Sequence, residues 1–181
     1  MDNPTLLNDA YTWTTARIAA VNADDLDAPT PCSLWSLREL LDHTVGSLTM
    51  LTDAVAPDAA PTASDGESTS WEQAVAALAV RSQQAWEAPG VMDRAMEVPP
   101  MGTMPAAMLA GATLLETVTH GWDISQASRE CADIPDALAL PVLAFARQAL
   151  VDNRGDNFAA DLGIGDTPSD QLIAFLGRKP L

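Results

Sequence analysis

The sequence predicts an all-α protein, a four-helix bundle followed by additional C-terminal helices. Helix-start signals recur along the chain, and the apolar residues after them keep the three- and four-residue spacing of one helix face. No stretch alternates between apolar and polar residues over a useful length, so we expect no sheet. At 181 residues the chain is long enough for one domain, which we place at 1–181 with a C-terminal extension from about residue 133.

The first two predicted helices have clear start signals. Asn3 followed by Pro4 is typical of a helix N-terminus, and we expect this helix to continue to about Val21. Ser36 and Glu39 have the spacing of a capping box. The apolar residues after that box keep helical spacing: Leu37, Leu40, Leu41, Val45, Leu48 and Leu51.

The third predicted helix follows a long polar segment. Ser70 and Gln73 form a second capping-box pattern, and the helix that they open ends before the Pro-Gly pair at 89–90. The preceding segment, 56–69, is rich in Ala, Pro, Ser, Thr and Asp. That composition predicts a mobile surface loop between the second and third helices.

Three more helices complete the prediction. The fourth spans about 105–128 and the fifth about 133–151. The last is a short helix within 167–177, capped by Thr167 and ended by Gly177. Four long helices joined by loops of this size most naturally form a bundle, with the C-terminal helices packed outside it.

The charge of the chain excludes two classes of partner. Twenty-five acidic residues against nine basic ones give a net charge of −16, which repels phosphate backbones and anionic lipids. We therefore expect no nucleic-acid partner and no membrane partner. The most apolar stretch, 105–118, is too short to span a bilayer, and the N-terminus has no apolar signal segment. These features predict a cytoplasmic protein.

Two histidines and one glutamate are the candidate metal ligands. His43 lies at the flank of the apolar stripe of the second predicted helix. On the fourth, Glu116 precedes His120 by four residues, so their side chains lie one turn apart on the same side. The opposite side carries apolar residues (Leu114, Leu115, Val118 and Trp122). A buried carboxylate and imidazole need compensation, and a metal ion would provide it.

This donor set is typical of a catalytic zinc site. Two histidines and one carboxylate leave a free coordination position, which is the usual arrangement around catalytic zinc. Nickel, iron or manganese would tolerate similar ligands. Asp123, three residues after His120, is close enough to orient that ring from outside the coordination sphere.

Simpler interpretations of the same residues remain open at this point. A Glu and a His four residues apart are often a solvated surface pair, and a lone His is often a residue at the edge of a core. Asp123 also fits a surface carboxylate or an interhelical salt bridge. Trp35 has the character of a core residue, and Cys32 that of a small buried residue, although a reactive thiol is an alternative.

Three segments carry a resemblance to a known family. The segment Pro31–His43 (PCSLWSLRELLDH) is similar to the N-terminal signature of the mycothiol-dependent maleylpyruvate isomerase metal-binding domain, a member of the DinB-like superfamily of four-helix bundles. The segment Glu116–Asp123 (ETVTHGWD) resembles the second signature of that group. The closing segment 170–180 resembles the tail of an uncharacterised actinobacterial subgroup.

The resemblance implies a fold, a ligand set and a chemistry. It implies a DinB-like bundle in which His43, Glu116 and His120 bind zinc, with mycothiol as a thiol cosubstrate. The corresponding function is a zinc-dependent thiol transferase or an isomerase-like enzyme whose partner is a small-molecule thiol or electrophile. A metal-bound thiol has a lowered pKa, which would prepare it for addition to an electrophilic carbon.

A second class of function stays open beside the enzyme. The same site would also serve a non-catalytic module that binds metal or a small ligand. The family's isomerase carries a sizeable additional C-terminal domain, so we do not expect maleylpyruvate isomerisation itself here. The resemblance also implies that the chain can pair into a homodimer.

Overall fold

The structure, a computed structural model, is built mainly from helices. It describes residues 3–32, 35–57, 70–150, 154, 158–163 and 165–181. The helices are α1 (Asn3–Ala19), α2 (Leu37–Val55), α3 (Trp71–Trp86), α4 (Ala106–Ala127), α5 (Asp136–Ala149) and α6 (Pro168–Phe175). The predicted all-α, DinB-like fold class is confirmed.

The predicted capping boxes fix where the helices begin. At the start of α2 the Ser36 hydroxyl accepts from the backbone N–H of Glu39, and the Glu39 carboxylate accepts from the backbone N–H of Ser36 at 2.8 Å. Ser70 and Gln73 form the same reciprocal pair at the start of α3. Each box satisfies two N–H groups that a helix end would otherwise leave unpaired. The register of α2, and hence the direction of its side chains, is thereby set locally.

The first four helices form a bundle in which α4 is the most enclosed. The order around the bundle is α1, α3, α2, α4, and α5 packs on α4 and carries α6 on its other side. From Thr113 to Ala127 every residue of α4 is buried except Glu116, which is half-buried. Neighbouring helices therefore enclose this part of α4, including the side that carries Glu116 and His120. Its polar side chains must find partners inside the protein.

Small residues allow α4 its close contacts. A Cβ atom on Gly121 would lie 2.5 Å from Thr14 Oγ1 and 2.6 Å from the ring of Trp13, so α1 packs directly against the α4 backbone. There the Thr14 hydroxyl donates to the carbonyl oxygen of Thr117 at 2.8 Å. The α1–α4 contact holds the middle of α4 in place, one residue from His120.

A short hairpin corrects the expectation that the chain has no sheet. Strands β1 (Ala95–Val98) and β2 (Gly102–Pro105) pair antiparallel directly before α4. Met96 and Val98 are buried, whereas their strand neighbours are exposed. The alternation is genuine, but four residues are too few for it to stand out in the sequence.

Two of the predicted boundaries cannot be compared with the structure. Most of the predicted loop 56–69 lies outside the described residues, which resume at residue 70. Val151, at the predicted end of the fifth helix, also lies outside them. Among the described helices, none combines the length and the apolar character that crossing a membrane requires.

Candidate metal centre

The three predicted ligands converge between α2 and α4. His43 Nε2 lies 3.1 Å from Glu116 Oε1, and His120 Nε2 lies 3.4 Å from the same oxygen. The three ligand atoms are all within 4.8 Å of one another. The imidazole rings stand almost perpendicular, at 88°, with centroids 5.0 Å apart. Side chains 77 positions apart in sequence thus meet at one point.

The spacing of these donor atoms fits a metal ion. An ion about 2.1 Å from each of two ligands in tetrahedral geometry holds the ligand atoms about 3.4 Å apart. The two separations measured from Glu116 Oε1, 3.1 and 3.4 Å, lie close to that value. This oxygen is buried, and it accepts no hydrogen bond from any part of the chain that the structure describes. Since a buried carboxylate oxygen needs a partner, the geometry suits a cation between the three side chains.

Asp123 determines which nitrogen of His120 faces the site. Its Oδ2 lies 3.0 Å from His120 Nδ1, and the carboxyl group is fully buried. An ionised carboxylate can only accept hydrogen bonds, so Nδ1 must donate its proton. When the ring is neutral, its lone pair is therefore on Nε2, the nitrogen that faces Glu116, and this is the tautomer that a metal ion requires.

Burial and mutual attraction shift the pKa values of Glu116 and His120 in opposite directions, and the attraction outweighs burial in both cases. Burial raises the pKa of Glu116, but the charge of His120 and the nearby polar groups of His120, His43 and Ser47 outweigh it, so the pKa lies well below its usual range. Burial lowers the pKa of His120, but the Glu116 carboxylate raises it by a larger amount, so the pKa lies well above its usual range. Without a metal ion, a proton on His120 balances the carboxylate.

The site is open on one side. The side chain of His120 is 7% exposed, whereas those of Glu116 and His43 are 24% and 36% exposed. The Trp35 ring lies against His43 with centroids 4.2 Å apart, and it lies 6.1 Å from His120. Trp35, expected to be a core residue, therefore forms a wall of the site. A ligand can approach from the side of His43.

Cys32 belongs to this region, although the sequence favoured a small buried residue at that position. Its Sγ is 3.2 Å from Asp123 Oδ2 and 4.0 Å from His120 Nδ1, and the residue is half-buried. The hydroxyl of Thr30 donates to the carbonyl oxygens of Cys32 and Trp35, both at 2.9 Å. This turn in the connection between α1 and α2 places the thiol and the indole on either side of the imidazoles.

Arg178 was not anticipated as part of the site. Its Nε donates to Asp123 Oδ1 at 3.0 Å and to Oδ2 at 3.1 Å, and its Nη2 lies 3.5 Å from Cys32 Sγ. Asp123 thus contacts both the His120 ring and a guanidinium, and its complete burial rules out the surface carboxylate that the sequence also allowed. The pairing spans 55 residues, so no local sequence pattern could have indicated it.

A second group of potential ligands consists of Cys32, His120 and Asp123. It suits a cation less well than the first group. The guanidinium of Arg178 already contacts both carboxylate oxygens and approaches the sulfur. Because His120 Nδ1 donates its proton to Asp123, it has no lone pair to offer on that side. The metal is therefore expected on the Nε2 side of the ring.

Comparison with known proteins relates the chain to a family and to two relatives. Residues 7–82 match the model of the mycothiol maleylpyruvate isomerase N-terminal domain, a range that includes His43 but neither Glu116 nor His120. Two uncharacterized proteins of Mycobacterium tuberculosis, from strains CDC 1551 and H37Rv, are each 35% identical to the chain over 169 residues. Each match covers 90% of this chain and 90% of the relative. No solved structure matches the chain significantly.

Proposed function

The chain belongs to the family of the mycothiol maleylpyruvate isomerase N-terminal domain, and on that premise we propose that it is a metal-dependent enzyme acting on a small-molecule thiol. The family is mycothiol-related, DinB-like and metal-binding. In our proposal His43, Glu116 and His120 bind one divalent ion, with zinc preferred over nickel, iron or manganese. The reaction is a thiol transfer or an isomerisation that proceeds through a thiol of the mycothiol type.

One observation carries the proposal. The Oε1 atom of Glu116 is buried without a hydrogen bond from the described residues, and two imidazole Nε2 atoms lie 3.1 and 3.4 Å from it. A surface ion pair would leave the carboxylate in solvent, whereas here Oε1 of Glu116 is buried beside the two imidazoles. Of the two Nε2 atoms, that of His43 also lies 3.1 Å from the hydroxyl oxygen of Ser47. This arrangement instead directs three donor atoms toward one point, as a binding site for a cation does.

The protein's own residues prepare the site for a thiol. Asp123 holds the tautomer of His120, and the Trp35 ring shields His43 on one side. The exposed edge of His43 leaves room for a ligand to enter. When bound, a divalent ion would act as a Lewis acid that lowers the pKa of a coordinated thiol.

A non-catalytic role is the second candidate, and one observation favours it. Within the described part of the site every carboxylate is engaged: Glu116 faces the two imidazoles, and Asp123 is held by Arg178 and His120. No carboxylate is free to act as a general base. A module that binds metal and a small thiol without turnover would have the same geometry.

Turnover distinguishes the two candidates. Zinc-loaded protein is mixed with mycothiol and a panel of electrophiles, and both the conversion of the electrophile and the consumption of the thiol are followed over time. An enzyme gives zinc-dependent turnover that His120→Ala abolishes and that Glu72→Gln, a change of an exposed carboxylate on α3, leaves unchanged. Turnover that persists in His120→Ala would refute the proposed ligand set. Zinc and thiol binding without turnover would favour the non-catalytic module.

A further inference from the structure

The C-terminal tail reaches back to the candidate metal centre through one arginine. Helix α6 ends at Phe175, and Gly177, with φ of 72°, turns the chain. The N–H of Gly177 donates to the carbonyl of Ala174 and that of Arg178 to the carbonyl of Ile173, at 2.9 and 3.1 Å. These two bonds form a Schellman motif, which fixes the direction in which the tail leaves the helix. Arg178 is the first residue beyond the glycine.

The guanidinium of Arg178 is committed to one carboxylate. Its Nε contacts both oxygens of Asp123 at 3.0 and 3.1 Å, and its side chain is only 10% exposed. The Asp123 side chain is completely buried. Arg178 also lies over the ring of Phe158, 5.7 Å from its centroid, which restrains it from the other side. The pair is therefore a fixed internal contact and not a mobile surface pair.

The position of the carboxylate decides the orientation of the His120 ring. Asp123 Oδ2 accepts from His120 Nδ1 at 3.0 Å while Arg178 holds the same carboxylate from the opposite direction. If the guanidinium were removed, that oxygen would keep, among the described contacts, only the thiol of Cys32 at 3.2 Å and the His120 ring that it is meant to orient. A carboxylate that can rotate no longer determines which ring nitrogen of His120 faces Glu116.

We propose that Arg178 is a positioning residue for the metal centre, acting through Asp123 on His120. The inference rests on the proposed metal site and extends it: the affinity for metal depends on a residue in the C-terminal tail that touches none of the three ligands. The geometry is a chain of two contacts, from guanidinium to carboxylate and from carboxylate to imidazole, and the imidazole would bind the metal through Nε2. Residues that hold a ligating histidine typically change metal affinity by about 10- to 100-fold when they are lost.

The test compares Arg178 with Arg154, an arginine between α5 and α6 that contacts the last residue of α6. Arg178→Met removes the contact with Asp123, whereas Arg154→Met removes a guanidinium that donates to the carbonyls of Ala159 and Phe175. Both changes remove a guanidinium that packs near the end of α6, but only the first disturbs the carboxylate. Zinc affinity is measured by competition with a chromophoric chelator, and folding is checked by circular dichroism. We expect zinc affinity to fall about 10- to 100-fold in Arg178→Met and to stay within about twofold in Arg154→Met.

A conservative variant and a spectroscopic readout keep the test decisive if Arg178→Met does not fold. Arg178→Lys retains a charge but loses the two-oxygen contact, so its zinc affinity should fall by a smaller factor. Cobalt substituted for zinc reports the ligand geometry, and its visible absorption band should shift in Arg178→Lys but not in Arg154→Met. Unchanged affinity and an unchanged cobalt band in folded Arg178 variants would overturn the inference, as would equal losses in Arg154→Met. Wild-type protein that binds no zinc would instead overturn the proposed function itself.

Discussion

Replacing Gly121 by alanine tests the packing that positions His120. A Cβ at residue 121 would lie 2.5 Å from Thr14 Oγ1 and 2.6 Å from Trp13 Cζ3, well inside normal contact distance. The Thr14 side chain is fully buried, so it can yield only by rotating away from the carbonyl of Thr117 or by displacing α1. Both responses cost free energy of folding.

The magnitude follows from three contributions. Overpacking costs about 1–3 kcal/mol, and loss of the Thr14 hydrogen bond costs about 1 kcal/mol. Alanine returns about 1 kcal/mol through its higher helix propensity. The net loss of about 1–3 kcal/mol corresponds to a fall in Tm of about 3–10 °C for a chain of this length.

Gly46 provides the matched control. It lies exposed within α2, and a Cβ there would meet no atom within 4 Å. Gly46→Ala should therefore raise the Tm by about 1–4 °C through helix propensity alone. Thermal unfolding of both variants, followed by circular dichroism in the absence of metal, gives the comparison. A Gly121→Ala protein as stable as wild type would show that α1 and α4 are not in close contact near His120.

Three further predictions concern the metal centre. Glu116→Gln should weaken zinc binding about 10²- to 10³-fold, since zinc binds four-ligand structural sites with a free energy of about 10–16 kcal/mol, or about 2.5–4 kcal/mol per ligand. Calorimetry measures the zinc affinity, and an affinity equal to that of Glu72→Gln would contradict this prediction. Because the pKa of His120 is raised in the metal-free protein, zinc must displace its proton, so apparent zinc affinity should fall about tenfold per pH unit below that pKa. Titrations in buffers of different ionisation enthalpy should detect the released proton, and a pH-independent affinity with no release would argue against His120 as a ligand. Cys32→Ala should retain the zinc stoichiometry of wild type, since Sγ lies on the Nδ1 side of His120; loss of zinc would place the sulfur in the coordination sphere.

The helices could be predicted because their signals are local. The capping boxes at Ser36 and Ser70 place the starts of α2 and α3 within one residue, since a cap depends only on its own first turn. The β1–β2 hairpin was missed because alternation is confined to the four residues of β1, and β2 is mostly exposed. How far the neighbouring helices enclose α4 could not be predicted, because it depends on which helices pack around it.

The residues of the candidate site also fall into two groups, those with a local signal in the sequence and those placed by the tertiary fold. The four-residue spacing of Glu116 and His120 is local and visible in the sequence, and the family resemblance supported His43 as the third ligand. Asp123 was expected beside His120 because it follows by one helical turn. Arg178 was not expected, because its contact with Asp123 is created by the path of the C-terminal tail.

The central claim is that His43, Glu116 and His120 hold one divalent ion. It is tested most directly by elemental analysis of the untagged protein after dialysis against trace metal, alongside His43→Ala and His120→Ala variants shown to be folded. The account predicts one metal ion per wild-type chain and a large loss of metal in both variants. Wild-type protein without stoichiometric metal, or variants that retain it fully, would contradict the account.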